Sequence, residues 1–257
     1  MGKYRELNLV ELVRTYKTLA VTGAGGKTTL MFSLARQLVE TGKKVITTTT
    51  THIFSPTAHQ SPMTILKSLD ETLSTLPSAL LNLGHVTIGR EIDLTTGKLK
   101  GVDLETILRL GQLSDYTIIE ADGAAGRLVK APEAWEPVIP PFVDCVVFVM
   151  GLDSLGQRVD ENTVFRVNRF CQVTGLAPNC AITPESLARL AYHPTGGLKG
   201  VPSEAQFIVL LNKMDRLSHP GDLDTLWRAF EKEKATRLSM MVVAANLITG
   251  SLVVLKE

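Results

Sequence analysis

Seven consecutive residues, Gly23-Ala-Gly-Gly-Lys-Thr-Thr29, combine what is needed to hold a phosphate chain. Glycines let backbone N–H groups approach phosphate oxygens where a Cβ would stand in the way. A helix starting at the end of the loop adds unpaired N–H groups and the positive end of its dipole. Lys27 can then reach the β- and γ-phosphates, and the Thr28 hydroxyl can ligate Mg²⁺. The usual G-x-x-x-x-G-K-[ST] spacing wants glycine at position 21, where this chain has Val21. Its first glycine, Gly23, stands four before Lys27, as in loops of the Mur-ligase kind. Gly23, Ala24, Gly25, Gly26, Lys27, Thr28 and Thr29 are therefore the expected phosphate-binding residues.

Two further clusters have the right chemistry to complete such a site. Glu120 and Asp122 follow the apolar run Tyr116–Ile119. A carboxylate ending a strand beside a phosphate loop commonly holds the nucleotide's Mg²⁺. Glu120 with Gly123 has the spacing of a D-x-x-G element with glutamate substituted, and Asp122 competes for the same role. The expected metal set is Thr28 with Glu120 or Asp122, and Lys27, Glu120 and Asp122 are the expected catalytic groups. Arg127 and Lys130 lie within reach of anionic groups. Asn212-Lys-Met-Asp215 follows Phe207–Leu211 and matches the N-K-x-D arrangement that reads guanine. In that arrangement Asp215 accepts from the base, Asn212 meets its edge and the Lys213 stem covers it. A surface turn at a strand end would use the same residue types.

These clusters need elements to bring them together. Leu19–Thr22 reads as a strand running into the loop, and Leu30–Glu40 as the helix after it, with Gly42 at its C-terminal cap. Val45–Thr49 is rich in β-branched residues and reads as the next strand. Strand, loop, helix, strand is a βαβ unit, which requires a parallel sheet. Tyr116–Ala121, Cys145–Met150 and Phe207–Leu211 are near-continuous apolar runs, as in strands covered on both faces. Met240–Ala244 reads as another, after a helix at about Leu223–Lys234. Helices are also expected at about Leu69–Leu76, Glu161–Thr174 and Pro184–Tyr192. Val86–Ile92 is expected to pair with Lys98–Val102 around Thr95-Thr-Gly97. The fold expected is α/β, a three-layer P-loop NTPase-like architecture with a mostly parallel central sheet. Residues 1–257 form one nucleotide-binding domain with an insertion at about 54–102, after the second strand. The run Thr47–Thr51 and His52 end that second strand; the hydroxyls suit either Mg²⁺ waters and phosphate or simple strand formation.

Bulk properties remove other classes. With 27 basic and 26 acidic side chains the net charge is +1, and no basic stripe interleaved with aromatics occurs, so nucleic acid is not an expected partner. Three cysteines without a C-x-x-C pair give no zinc signature and suit a reducing compartment. No apolar stretch approaches the roughly 20 residues that span a bilayer. A cytoplasmic protein, not a membrane one, is expected; nothing in the sequence sets an oligomeric state.

Taken together, the motifs resemble the YqeC family, described as accessory proteins of selenium-dependent molybdenum hydroxylases. The resemblance runs over nearly the whole chain. It rests on Gly23–Thr29, Thr48–Phe54 (T-T-T-T-H-I-F) and Ile118–Arg127 (I-I-E-A-D-G-A-A-G-R). Lys130-Ala-Pro132, Glu136-Pro137, Gly151–Gly156 (G-L-D-S-L-G), Gly197–Pro202 and Leu211–Asp215 extend it. Phe165 stands where that family often has a histidine. The resemblance implies a role in maturing a selenium-containing molybdenum cofactor, with a molybdenum hydroxylase or its cofactor-assembly proteins as partners. The expected function is an Mg²⁺-dependent NTPase using GTP or ATP, with GTP favoured by Asn212–Asp215. The alternatives are an ATP-dependent small-molecule kinase or ligase, and a non-catalytic switch gated by nucleotide.

Overall fold

The computed structural model describes residues 4–66, 68–219, 221–233 and 240–256. Its centre is a ten-stranded sheet. Six parallel strands make the middle, in the spatial order Val45–Thr49, Tyr116–Glu120, Thr18–Gly23, Cys145–Gly151, Gln206–Asn212, Met240–Asn246. The chain moves one way from the Thr18–Gly23 strand to reach Tyr116–Glu120 and the other way to reach Cys145–Gly151. It thereby opens a crevice at their carboxyl ends, where α/β sheets bind ligands. This is the expected mostly parallel, P-loop NTPase-like α/β fold.

Alternation along the strands explains the layering. Val146, Phe148 and Met150 join one core with Phe207, Val209 and Leu211, whereas Cys145, Val147 and Val149 join a second with Ile208 and Leu210. Successive side chains point to opposite faces, so strands apolar at every position demand helices on both. The helix Lys27–Glu40 covers the second core through Leu30, Met31, Leu34 and Leu38. Helices Val167–Thr174, Pro184–Tyr192 and Asp222–Lys232 cover the first. The expected helix end at Lys234 lies outside the described residues.

Several expected boundaries moved. The helix from Leu69 continues to Leu83, through Pro77. A capping box between Ser68 and Glu71 starts it, and burial of Leu76, Ala79 and Leu80 outweighs the proline. Residues 86–92 do not form one strand. His85–Ile88 joins the main sheet parallel to Val45–Thr47, and Glu91–Asp93 pairs antiparallel with Lys98–Lys100. His52–Phe54 adds to that pair, so this stretch divides between the edge of the main sheet and a small three-stranded sheet. The helix expected from Glu161 begins only at Val167. Asp160 Oδ1 accepts from the N–H groups of Asn162 and Thr163, at 2.9 and 3.0 Å, which builds a turn instead. At the opposite edge, Ser251–Lys256 and Arg5–Leu7 add two antiparallel strands that periodicity had not suggested.

One packed residue gives the fold a measurable pH dependence. Burial pushes the His85 imidazole down to about 4, and Thr47 Oγ1 lies 2.9 Å from its Nε2. The unfolded chain would take up this proton near the ordinary value, so the stabilisation is complete above about pH 6.5. It is lost as pH falls from there toward 4, about 3 kcal/mol in all. Urea midpoints of the wild type should therefore fall more steeply between pH 7 and 4 than those of His85→Leu. Parallel curves would show that His85 is not the group responsible.

Candidate nucleotide-binding site

The loop after the Thr18–Gly23 strand is shaped by close backbone contacts. Gly25 has a φ of +84°, and a Cβ there would lie 2.4 Å from the Gly151 nitrogen. Gly26, with φ +143°, caps the helix Lys27–Glu40 without any side-chain hydrogen bond. A Cβ on it would lie 2.3 Å from Asn212 Nδ2. Only glycine fits either position, and the first helical turn is left to offer its N–H groups to a ligand.

Lys27 is buried with both carboxylates. Its Nζ donates to the Gly23 carbonyl at 2.8 Å and lies 3.3 Å from Asp122 Oδ1 and 3.6 Å from Glu120 Oε1. Burial alone would pull the Lys27 ammonium down, but Asp122 and then Glu120 more than reverse this, and its pKa is raised. Burial raises the Glu120 carboxyl, opposed by Lys27 and by the Thr28 hydroxyl. That hydroxyl donates to Glu120 Oε2 at 2.8 Å. Asp122 faces inward: its Oδ2 accepts from the Gly23 N–H at 3.1 Å and lies 3.1 Å from Lys130 Nζ.

Lys130 is fully buried. It donates to the Gly123 carbonyl at 2.6 Å and to Glu136 at 2.8 Å, so it braces the carboxylate loop and does not face a ligand. The threonine hydroxyls are likewise spent internally. Thr48 donates to the Ile88 carbonyl at 2.8 Å and Thr49 to the Glu120 carbonyl at 2.6 Å, and Thr47 faces His85 and Thr87. Thr49 thus fixes the strand end that carries Glu120.

A cleft of about 490 Å³ runs from this cluster across the sheet edge. Gly25–Thr29, Glu120, Asn212, Lys213 and Asp215 all line it. The Asn212 amide holds the loop: its Nδ2 donates to the Gly25 carbonyl at 2.9 Å, and its Oδ1 accepts from the Leu247 N–H at 3.3 Å. Lys213, in left-handed conformation, pairs with Asp153 at 2.5 Å. Asp215 is half-exposed in the cleft, with Arg216 3.5 Å away. Gly23 and Ala24 are buried beneath the loop, and Ala24 N–H bonds the Val149 carbonyl at 2.9 Å.

Sequence reading missed three contributors. Asn246, Leu247 and Ile248 line the cleft from the carboxyl end of the strand Met240–Asn246; a parallel strand's carboxyl end was the available signal. Ile53, Phe54 and Lys98 reach the rim from the small sheet beside His52, which the sequence itself puts at the end of the second strand; the approach of the others is a position no local pattern encodes. The Lys130–Glu136 brace depends on a fold-back of the loop that spacing does not reveal.

The family model described as "YqeC protein" matches residues 19–168, which carry both the phosphate loop and the carboxylates. The chain belongs to the YqeC family. The YqeC protein of Escherichia coli (strain K12) is 37% identical over 200 residues, covering 77% of this chain and 76% of that one. Among solved structures, FtsY from Mycoplasma mycoides aligns with 92% of this chain and 63% of its own, at 14% identity and TM-score 0.40. The signal recognition particle 54 kDa protein of Aeropyrum pernix K1, in complex with GDP, aligns with 95% of this chain and 48% of its own, at 18% identity and TM-score 0.37. The chain thus spans less than two thirds of either structure, and likenesses of that size tie no residue here to a role there. No described helix of this YqeC-family chain is long and apolar enough to cross a membrane.

Proposed function

We propose that this YqeC-family chain, acting as one domain over residues 1–257, is an Mg²⁺-dependent NTPase that favours GTP. Its place, by family resemblance, is as an accessory factor in maturing a selenium-containing molybdenum hydroxylase. The observation that carries the reading is the convergence of Lys27, Thr28, Glu120 and Asp122 beneath an uncapped helix N-terminus.

The donor set fits Mg²⁺. Thr28 Oγ1 and Glu120 Oε2 are hard oxygens already 2.8 Å apart at the loop, and Asp122 Oδ1 is a buried oxygen whose nearby cation is Lys27, 3.3 Å away. Thr28 with Glu120 or Asp122 would hold the ion, which would supply positive charge to offset that of the phosphates. Lys27 leaves its carboxylate partners for the phosphate oxygens, where its charge stabilises the transferring group. Asp122 holds the loop by its bond from Gly23 N–H. The first-turn N–H groups at Lys27–Thr29 grip the phosphates. In the same cleft, Asp215 is the carboxylate exposed to a base, with the Lys213 stem and the Asn246–Ile248 segment as walls. Asn212 acts from behind, keeping the phosphate loop and the base end in register.

Calorimetric titration of GTP and ATP with Mg²⁺ tests this. GTP should bind the tighter, and Asp215→Ala should weaken GTP by about 100-fold, the worth of two hydrogen bonds to a charged acceptor, while leaving ATP unchanged. Equal affinities that ignore the substitution would reduce Asn212–Asp215 to a strand-end turn.

A further inference from the structure

A second pocket, of about 700 Å³, adjoins the nucleotide cleft and shares Ala125 and Arg127 with it. Its size is that of an ordinary small-molecule site. Four described residues other than glycine have left-handed backbones, and three of them, Ala125, Arg166 and Asn179, line this pocket. Such conformations are strained and cluster where a site must be held in one shape.

Its polar groups suit an oxyanion. Arg166 caps the helix Val167–Thr174 from a φ of 70° without a side-chain bond to the first turn. The N–H groups of that turn therefore open beside a guanidinium. Arg166 Nε is buried with no hydrogen-bond partner, and the guanidinium is stacked over Phe165, 4.6 Å from the ring centroid. Arg127 bonds only carbonyl oxygens, those of Glu161 and Ala125, and no carboxylate pairs with it among the described residues. Of the acids along the wall, Asp160 is engaged by its turn and Glu133 by Arg169 at 3.9 Å, while the Glu161 side chain is exposed. Against them stand Arg127, the Arg166 Nε and the first-turn N–H groups as donors.

The pocket is wired to the nucleotide site by alternating charge. Lys27 meets Asp122 at 3.3 Å, Asp122 meets Lys130 at 3.1 Å, Lys130 meets Glu136 at 2.8 Å, and Glu136 meets Arg166 at 3.8 Å. A phosphate that draws Lys27 away takes a partner from Asp122, the next group along that chain.

We propose that this pocket binds a second ligand, a small molecule carrying a phosphate group, held by Arg166, Arg127 and the first turn of the helix Val167–Thr174. The assignment of the neighbouring cleft to nucleotide is a separate reading, on which the coupling alone rests. Binding of inorganic phosphate, followed by ³¹P line broadening, separates the two sites through variants. In Lys27→Ala one phosphate site should persist. Arg166→Gln, combined with it, should weaken that site about tenfold or more, as should Arg127→Gln. Circular dichroism of each variant shows whether the fold is intact, and Arg127→Gln, partly exposed at the rim, serves if Arg166→Gln does not fold. Phosphate binding that vanishes in Lys27→Ala, or that ignores both arginines, overturns the second site. Nucleotide titration of the wild type in parallel decides the P-loop reading independently.

Discussion

Lys27→Ala should abolish detectable triphosphate binding and, in the same protein, lower stability by about 3–5 kcal/mol, the cost of stripping one partner from a buried ion pair. The first effect follows from losing the cation that meets the β- and γ-oxygens. The second follows from what is left behind. Glu120 and Asp122 are both almost fully buried, and without Lys27 the Glu120 carboxyl retains only the Thr28 hydroxyl as a close partner. Burial already raises that carboxyl against the pull of Lys27, so removing Lys27 raises it further. A carboxyl held above its unfolded value binds more protons in the folded state, and its contribution falls as pH rises. The stability deficit of Lys27→Ala should accordingly be largest near pH 8 and shrink toward pH 5. Melting temperatures across that range measure it, at about 2–4 °C per kcal/mol for a chain of this size. A variant with wild-type stability at pH 8 would mean that water, not Lys27, satisfies the carboxylates.

Asp122→Ala should be nearly as damaging, by the opposite imbalance. Asp122 stands between two buried ammonium groups, Lys27 and Lys130, and also accepts the Gly23 N–H. Truncation leaves Lys130, fully buried, with Glu136 and the Gly123 carbonyl alone. A loss of about 3–5 kcal/mol is expected, with nucleotide affinity reduced because the Gly23 peptide is no longer held. Asp122→Asn keeps the acceptor for Gly23 but not the charge, so it should recover nucleotide affinity more than stability. Comparing urea midpoints with nucleotide affinities for the two variants separates these roles. Equal losses in both would assign the whole effect to charge; a wild-type midpoint in Asp122→Ala would remove Asp122 from the network.

Near-neighbour chemistry made much of this protein legible from sequence alone. The glycines, lysine and threonines at 23–29 must lie together because they are consecutive, and the apolar runs at 116, 145 and 207 must be covered strands because every position is apolar. Glu120, Asp122, Asn212 and Asp215 could be placed at the ligand edge because each follows such a run. The small sheet's approach to the rim, the split of residues 86–92 and the delayed helix at Val167 came from contacts between distant segments or from competing turn bonds. Lys130 shows the limit most clearly. Its residue type suggested a hand for anions, yet it is buried between Asp122 and Glu136.

Sequence by itself determined the P-loop, the parallel sheet that follows from strand–loop–helix–strand connectivity, and family membership through motifs in fixed order. Tertiary structure alone decided which polar groups face a ligand and which face one another. A side chain's partner within a strand, turn or helix is set by local spacing, but burial and charge pairing depend on segments a hundred residues apart. The Lys27-to-Arg166 chain of charges joins the helix start at Lys27, the Asp122–Glu136 segment and Arg166, and exists only once the fold has brought these together.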